Sequence, residues 1–215
     1  MLDATEEPVE RTRVVNGVAV PGTEFDEARD TDPDHERTVV RALRRHVRRG
    51  DHVVVVGGGW GTTAVVAARM THYEGRVTVY EPSPKMLPVL ERTLGVNDVA
   101  GLTTVEHAPV GGVSASSERI FGAPAPDAID AVAPADLPAC DVLDVDCEGA
   151  ELEVLRGIDV RPRVLVVEAH PHLGCSCAAV AEELDVMGYE VVDREPADAP
   201  DEITNFVARR GDTQR

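Results

Sequence analysis

Val53-Val54-Val55-Val56-Gly57-Gly58-Gly59-Trp60-Gly61-Thr62 is the stretch whose reading decides the fold. Four consecutive β-branched residues mark a strand buried on both faces, because a half-buried strand would alternate apolar with polar. The glycines that follow let the backbone turn tightly and come close to a ligand that a Cβ would hold off. Residues 62–70 then read as a helix. Strand, glycine turn and helix in that order open an α/β unit, and in such sheets ligands bind beyond the carboxyl ends of the strands, where the strand order switches.

Outward from this turn the alternation continues. Residues 77–80 read as a second strand, 84–94 as a helix and 102–105 as a third strand. Residues 109–139, rich in Ala, Gly, Pro and Ser, read as a short hairpin or an irregular crossover. Residues 141–146 form a fourth strand, and 150–156 a helix stopped by Gly157 in the place of a C′ glycine. Residues 164–168 are a fifth strand, 178–187 a helix ending at Gly188, and 189–192 and 203–208 late strands. Upstream, Asp32-Pro33 reads as an N-cap and a first-turn proline. The helix they open runs to Gly50, with Val39, Val40, Leu43 and Val47 as its buried stripe. Residues 1–31 read as a polar arm carrying a hairpin turn at Asn16-Gly17, and 32–215 as a single α/β domain, a parallel sheet with helices on both faces.

Composition narrows the function. The 215 residues carry 39 Asp and Glu against 21 Lys and Arg, a net charge of −18. Lys85 is the only lysine. Such a charge repels itself unless salt screens it, which points to a salt-adapted cytosol, and it argues against broad binding to nucleic acid or anionic membranes. No run of 18 apolar residues spans a membrane, and the acidic start lacks the apolar core of a signal peptide. The expectation is a cytoplasmic protein whose four cysteines are thiols.

The residues just after each strand are the candidates for chemistry. A dinucleotide site wants G-x-G-x-x-G. Gly57 and Gly59 satisfy the first two positions, but Thr62 stands at the third, which disfavours a nicotinamide oxidoreductase. Gly57, Gly59 and Gly61 instead have the G-x-G-x-G spacing associated with S-adenosylmethionine. Glu81, at the tip of the second strand and 24 residues after Gly57, is placed to accept hydrogen bonds from both hydroxyls of a ribose. Asp144 and Asp146 share a side of the fourth strand, with Asp146 at its tip, Glu148 in the loop and Glu151 in the first helical turn. Glu168 and His170 share a side at the tip of the fifth strand, where a histidine near its ordinary pKa takes a proton from an attacking hydroxyl.

The run Asp141-Val142-Leu143-Asp144-Val145-Asp146-Cys147-Glu148-Gly149-Ala150-Glu151, followed by Glu168-Ala169-His170-Pro171, resembles the FkbM-type family of S-adenosylmethionine-dependent methyltransferases over residues 34–208. The resemblance implies a Rossmann-like class I fold of seven strands whose last strand is antiparallel. It also implies methyl transfer, most often to oxygen, on sugar-containing or other small molecules. Gly57, Gly59, Gly61 and Glu81 then bind the cofactor, and Asp146, Glu148 and His170 flank the acceptor, with Asp146 or His170 as base. Two positions depart from the family. Val55 stands where relatives usually carry an acid, and Asp144 where many carry a lysine.

Three other features admit a second meaning. Arg37, Arg41, Arg44, Arg45, Arg48 and Arg49 crowd one helix; they read as partners of the acidic surface, although an RNA methyltransferase would need such a patch. Asp144, Asp146 and Glu148 could hold Mg2+. His170, His172, Cys175 and Cys177 could hold a soft metal, but C-x-C spacing fits zinc poorly, and no metal is expected. Trp60 either walls the cofactor pocket or plugs the core. The rival from outside the enzymes is a nucleoside-binding or assembly protein on a decayed methyltransferase fold.

Overall fold

The computed structural model describes residues 12–21, 31–32, 34–113, 119, 122–124, 128–196 and 203–211. Strands β1 (Thr12–Val15) and β2 (Val18–Pro21) pair antiparallel across Asn16 and Gly17, both at positive φ as the tightest hairpin turns require. β3 (Thr31–Asp32) adds to β1 in parallel. Val15, Val18 and Val20 are buried in the same core as the helices that follow. The hairpin is tied down by Asn97, whose side-chain amide exchanges two hydrogen bonds with the Ala19 backbone.

Helix α1 (Arg37–His46) starts four residues later than the Asp32-Pro33 signal predicts. Asp32 is engaged in the β1 ladder, and the chain enters the helix through Glu36 in a left-handed conformation, with no side-chain cap. The helix ends before Gly50 because Val47 turns extended and Asp51 accepts the Arg48 N–H at 2.7 Å. Its expected stripe of Val39, Val40, Leu43 and Val47 is buried.

Next come β4 (His52–Val56), α2 (Thr62–Thr71), β5 (Arg76–Tyr80), α3 (Leu87–Val96) and β6 (Thr103–Glu106). They are followed by β7 (Val142–Val145), α4 (Glu151–Gly157), β8 (Val164–Ala169), α5 (Cys177–Val186), β9 (Tyr189–Pro196) and β10 (Thr204–Arg210). The order in the sheet is β6-β5-β4-β7-β8-β10-β9. β10 runs antiparallel between β8 and β9, so the seven strands and the reversed last strand are as expected. Between β6 and β7 the described residues form a parallel bridge, Val110 to Val132, which is a crossover and no hairpin.

Each face of the sheet carries its own core. α1, α2, α3 and the hairpin cover Val53, Val55, Val142, Val164 and Val166, while α4 and α5 cover Val54, Leu143, Leu165 and Val167. Burial on both sides explains the unbroken valine runs. Gly157 does not take the left-handed C′ role. It is the last residue of α4, and a Cβ there would come within 2.9 Å of Pro134.

Strand order switches between β4 and β7: from β4 the chain builds outward to β6, then returns to β4's other side. The first glycine of the turn and the last aspartate of the acidic run therefore meet at the place this topology reserves for ligands.

Candidate functional site

At the switch the two tips are in contact. Asp146 N–H donates to Val56 O at 2.9 Å and Gly57 N–H to Tyr80 O at 3.0 Å. Gly57 has φ +99°, and a Cβ on it would lie 1.7 Å from the Asp146 carbonyl, so no other residue fits. Above them opens a cleft of about 250 Å3 lined by Gly57, Gly59, Glu81, Asp146, Glu148 and Glu168, with Tyr80, Met86, Ala108 and Val110 as apolar walls.

Glu81 is 4% exposed. One carboxylate oxygen accepts the Gly59 N–H at 2.8 Å and the other the Ser83 N–H at 2.7 Å. Burial raises its pKa, and these backbone donors oppose the rise. Each oxygen keeps a second lone pair for a ligand. A Cβ on Gly59 would meet nothing within 4 Å, so the backbone there faces open cleft. Gly61 is different: it lies outside the lining, and its missing Cβ makes room for Leu90 and Thr93 of α3. Trp60 does both of the things its position allows: it lines the cleft beside His35, ring centroids 4.5 Å apart, and it packs against the core beneath.

The far end of the cleft is acidic. His170, 1% exposed, is held from behind by Glu151, itself 0% exposed, through Nδ1 to Oε1 at 2.8 Å. Its Nε2 points forward, 3.7 Å from Asp146, 3.7 Å from Glu148 and 3.6 Å from Glu168. Burial pulls the imidazole's pKa down, but the Glu151 bond and the surrounding carboxylates carry it above its ordinary value. Burial raises Asp146 well above the usual carboxylate range, reinforced by Glu168 and Glu148. Glu148 and Glu168 are raised by burial too, with His170 opposing.

One layer down, Asp144 is 2% exposed, one of its oxygens has no partner, and burial together with Glu36 and Glu168 pushes its pKa well up. It is the register partner of Val55. The two departures from the family pattern are thus neighbours on paired strands.

Glu36 was not legible as a site residue, yet it lines the cleft. Burial, then Glu168, raises its pKa to about 7, and its Oε2 is buried without a partner. Glu36 and Glu148 both have φ +54°, a conformation uncommon for a long side chain. The one sequence signal is the polar triplet Asp34-His35-Glu36 ahead of the apolar stripe of α1.

The soft-ligand set does not assemble around a metal. Among the described residues, the ligating atoms found within 4.8 Å of one another are those of Asp146, Glu148 and His170. All four cysteines are free thiols, and burial raises Cys175 to about 12. The arginines expected to crowd this helix are largely committed: Arg37 to Asp34, Arg41 to Asp193 and Glu195, and Arg44 to the Asn16 carbonyl, while Arg49, beyond the end of α1, pairs with Glu74.

These surroundings fit S-adenosylmethionine. Glu81 retains acceptor capacity for a ribose, the apolar walls suit a purine, and the partnerless buried oxygens of Glu36 and Asp146 suit a ligand bearing positive charge.

The methyltransferase FkbM domain pattern matches residues 48–191. No curated protein matches the chain by sequence. Solved structures share the fold. A SAM-dependent O-methyltransferase from Thermotoga maritima is similar at TM-score 0.52 and 14% identity, covering 83% of this chain and 67% of its own. A possible exported protein from Bordetella parapertussis gives 0.55 and 15%, covering 81% and 66%. The complex of aTrm5 with tRNALeu gives 0.61 and 10%, covering 94% and 53%. The chain thus spans between half and two thirds of the length of these structures. One of these neighbours is bound to tRNA, so the likenesses lend no support to the expectation that nucleic acid is an unlikely partner. No helix among the described residues is long and apolar enough to cross a membrane.

Proposed function

The chain belongs to the FkbM methyltransferase family, and we propose that it methylates a hydroxyl or carboxyl oxygen of a small or sugar-containing acceptor. S-adenosylmethionine, when bound, supplies an electrophilic methyl on a sulfonium that carries its own leaving group. Gly57 and Gly59 bring bare backbone to the methionyl part, and Glu81 orients the ribose through its two free lone pairs. The chain's remaining tasks are in-line positioning and removal of the acceptor's proton.

The observation that carries the oxygen acceptor is the Glu151–His170 pair standing directly behind Asp146 and Glu148. A carboxylate whose pKa burial has raised is a better base than one in water. Asp146 takes the proton as the acceptor oxygen forms its bond to carbon and the carbon–sulfur electrons leave with sulfur. His170, fixed by Glu151, steadies the charge on Asp146.

An RNA acceptor is the second reading, favoured by the tRNA-bound neighbour. The charge of −18 and the pairing of the α1 arginines weigh against it.

Two measurements test the proposal. Titration calorimetry with S-adenosylmethionine is expected to show affinity falling at least tenfold in Glu81→Ala; unchanged affinity counts against the cofactor assignment. Incubation with methyl-labelled donor and fractionated small molecules or RNA is expected to label oxygen in the small-molecule fraction. Label confined to RNA would replace the first reading with the second, and no label in any fraction would favour a non-catalytic binding protein.

A further inference from the structure

Cofactor binding accounts for Glu81 and the glycines but leaves three carboxyl groups at the acidic end of the cleft facing a single imidazole. His170 Nε2 faces Asp146 Oδ1 at 3.7 Å, Glu148 Oε2 at 3.7 Å and Glu168 Oε1 at 3.6 Å. The spacings are nearly equal, and all lie beyond hydrogen-bond reach. The imidazole is 1% exposed, and its Nε2 is aimed at these oxygens without hydrogen-bonding to any of them. Asp146 Oδ1 is likewise buried with no hydrogen-bond partner. Neither arginine nor lysine is among the residues lining the cleft. Like charges collected in this way call for a cation between them.

We propose that Asp146, Glu148 and His170 form a site for a divalent cation of the Mn2+ or Mg2+ class at the acceptor end of the cleft, with Glu168 beside it as a further carboxylate facing His170. Two carboxylate donors select a hard cation, and one imidazole is tolerated best by Mn2+. Donors around a six-coordinate ion of this size stand about 3 Å apart, and the ligating atoms of the three residues already lie within 4.8 Å of one another. Nδ1 is engaged by Glu151 at 2.8 Å, which leaves Nε2 as the nitrogen presented for ligation. A carboxylate behind a ligating histidine is the usual support of a metal site. Three protein donors leave three of six positions open. The site therefore fits an acceptor with two neighbouring oxygens, such as a vicinal diol or a 2-hydroxy acid. This deepens the proposed oxygen methylation and rests on it for the acceptor, though not for the cation: with the ion bound Asp146 is a ligand, and the ion would lower the acceptor hydroxyl's pKa in place of direct proton transfer to Asp146.

The test uses Mn2+ alone. Added to metal-stripped full-length protein in molar KCl, which screens the diffuse surface charge, it is expected to fill one saturable site, read from the paramagnetic resonance of the free ion. His170→Gln and Asp146→Asn are expected to weaken binding at least tenfold. Glu148→Gln changes a side chain that is 25% exposed and tolerable to folding, and a similar loss is expected there. Glu151→Gln, acting through His170, is expected to cost 10- to 100-fold. Melting curves recorded without metal confirm that each variant is folded. Absence of a saturable site, or wild-type Mn2+ affinity in both His170→Gln and Glu148→Gln, overturns the proposal. S-adenosylmethionine calorimetry on the same samples separates the claims. Cofactor binding without Mn2+ binding overturns the cation site and spares methyl transfer, while the reverse supports the site and defeats the methyl-transfer reading.

Discussion

The two ends of the parallel strands are built on opposite rules. At the amino ends the buried polar side chains among the described residues have partners. His52 has Ala139 O at 2.7 Å on Nδ1 and Thr78 Oγ1 at 2.9 Å on Nε2. Asp141 accepts the His52 N–H at 2.9 Å, and Asp51 accepts from Arg48 N and from Arg163 at 2.6 Å. At the carboxyl ends Glu36, Asp144, Asp146 and Glu151 each have a buried oxygen with no partner. Buried polar groups are normally satisfied because leaving one bare costs about 1–3 kcal/mol. One end therefore holds the sheet together, and the other stores unmet polarity for whatever binds there.

Four substitutions would sharpen or break this contrast. The largest effect is expected at Gly57→Ala, whose Cβ would lie 1.7 Å from a backbone carbonyl at φ +99°. We expect a loss of more than about 3 kcal/mol in denaturant melts, with no measurable cofactor affinity in calorimetry. Gly59→Ala meets no neighbour, so its folding loss should stay near about 1 kcal/mol while affinity still falls. Equal folding losses at the two glycines would mean the tips are not in contact.

Arg163→Met belongs to the other end. It removes the bonds to Asp51 and to the His46 carbonyl, and should lower stability by about 2 kcal/mol, or about 4–8 °C in melting temperature. S-adenosylmethionine affinity should be unchanged. A changed affinity would show that the two ends are coupled, and the contrast would fail.

The smallest effect concerns pH, and its sign differs between the ends. Glu36 has its folded pKa raised from 4.5 to about 7. Its contribution to stability is therefore complete below about pH 4.5 and is lost as pH rises through about 7. Glu36→Gln should raise the melting temperature by a few degrees at pH 8 and by almost nothing at pH 5. For His52 burial lowers the pKa, opposed by the Ala139 carbonyl. There stability is lost as pH falls below the ordinary histidine value of 6.5, and NMR titration should find the ring more than half neutral at pH 6.5. A Glu36→Gln gain that did not grow with pH would remove the idea of stored charge at the carboxyl end.

Much of this was legible because the strands announce themselves. An apolar run four residues long followed by glycines, or by alternating acids, reports both burial and a tip. Gly57, Glu81, Asp146 and His170 all follow such runs and converge as their positions imply. Asp32 failed as a helix signal because a β1 ladder competes for its backbone, and Gly157 failed as a cap because its missing Cβ serves Pro134. Glu36 could not be read at all. Its neighbours Asp144 and Glu168 lie more than a hundred residues away in the chain, and only tertiary folding sets them together. Gly61 shows the converse: a residue in a ligand-binding pattern whose local duty is to admit α3.

His35 and Glu36 stand on the rim of the cleft but precede residue 48, where the shared family region begins. Their place is set by the hairpin, since the Asn16 side chain donates to the His35 carbonyl and Arg44 reaches back to Asn16 O at 2.6 Å. Two side chains bordering the cleft are thereby held in place by a stretch of polypeptide that the family region does not include, so the wall of the cleft and its glycine turn answer to different parts of the chain.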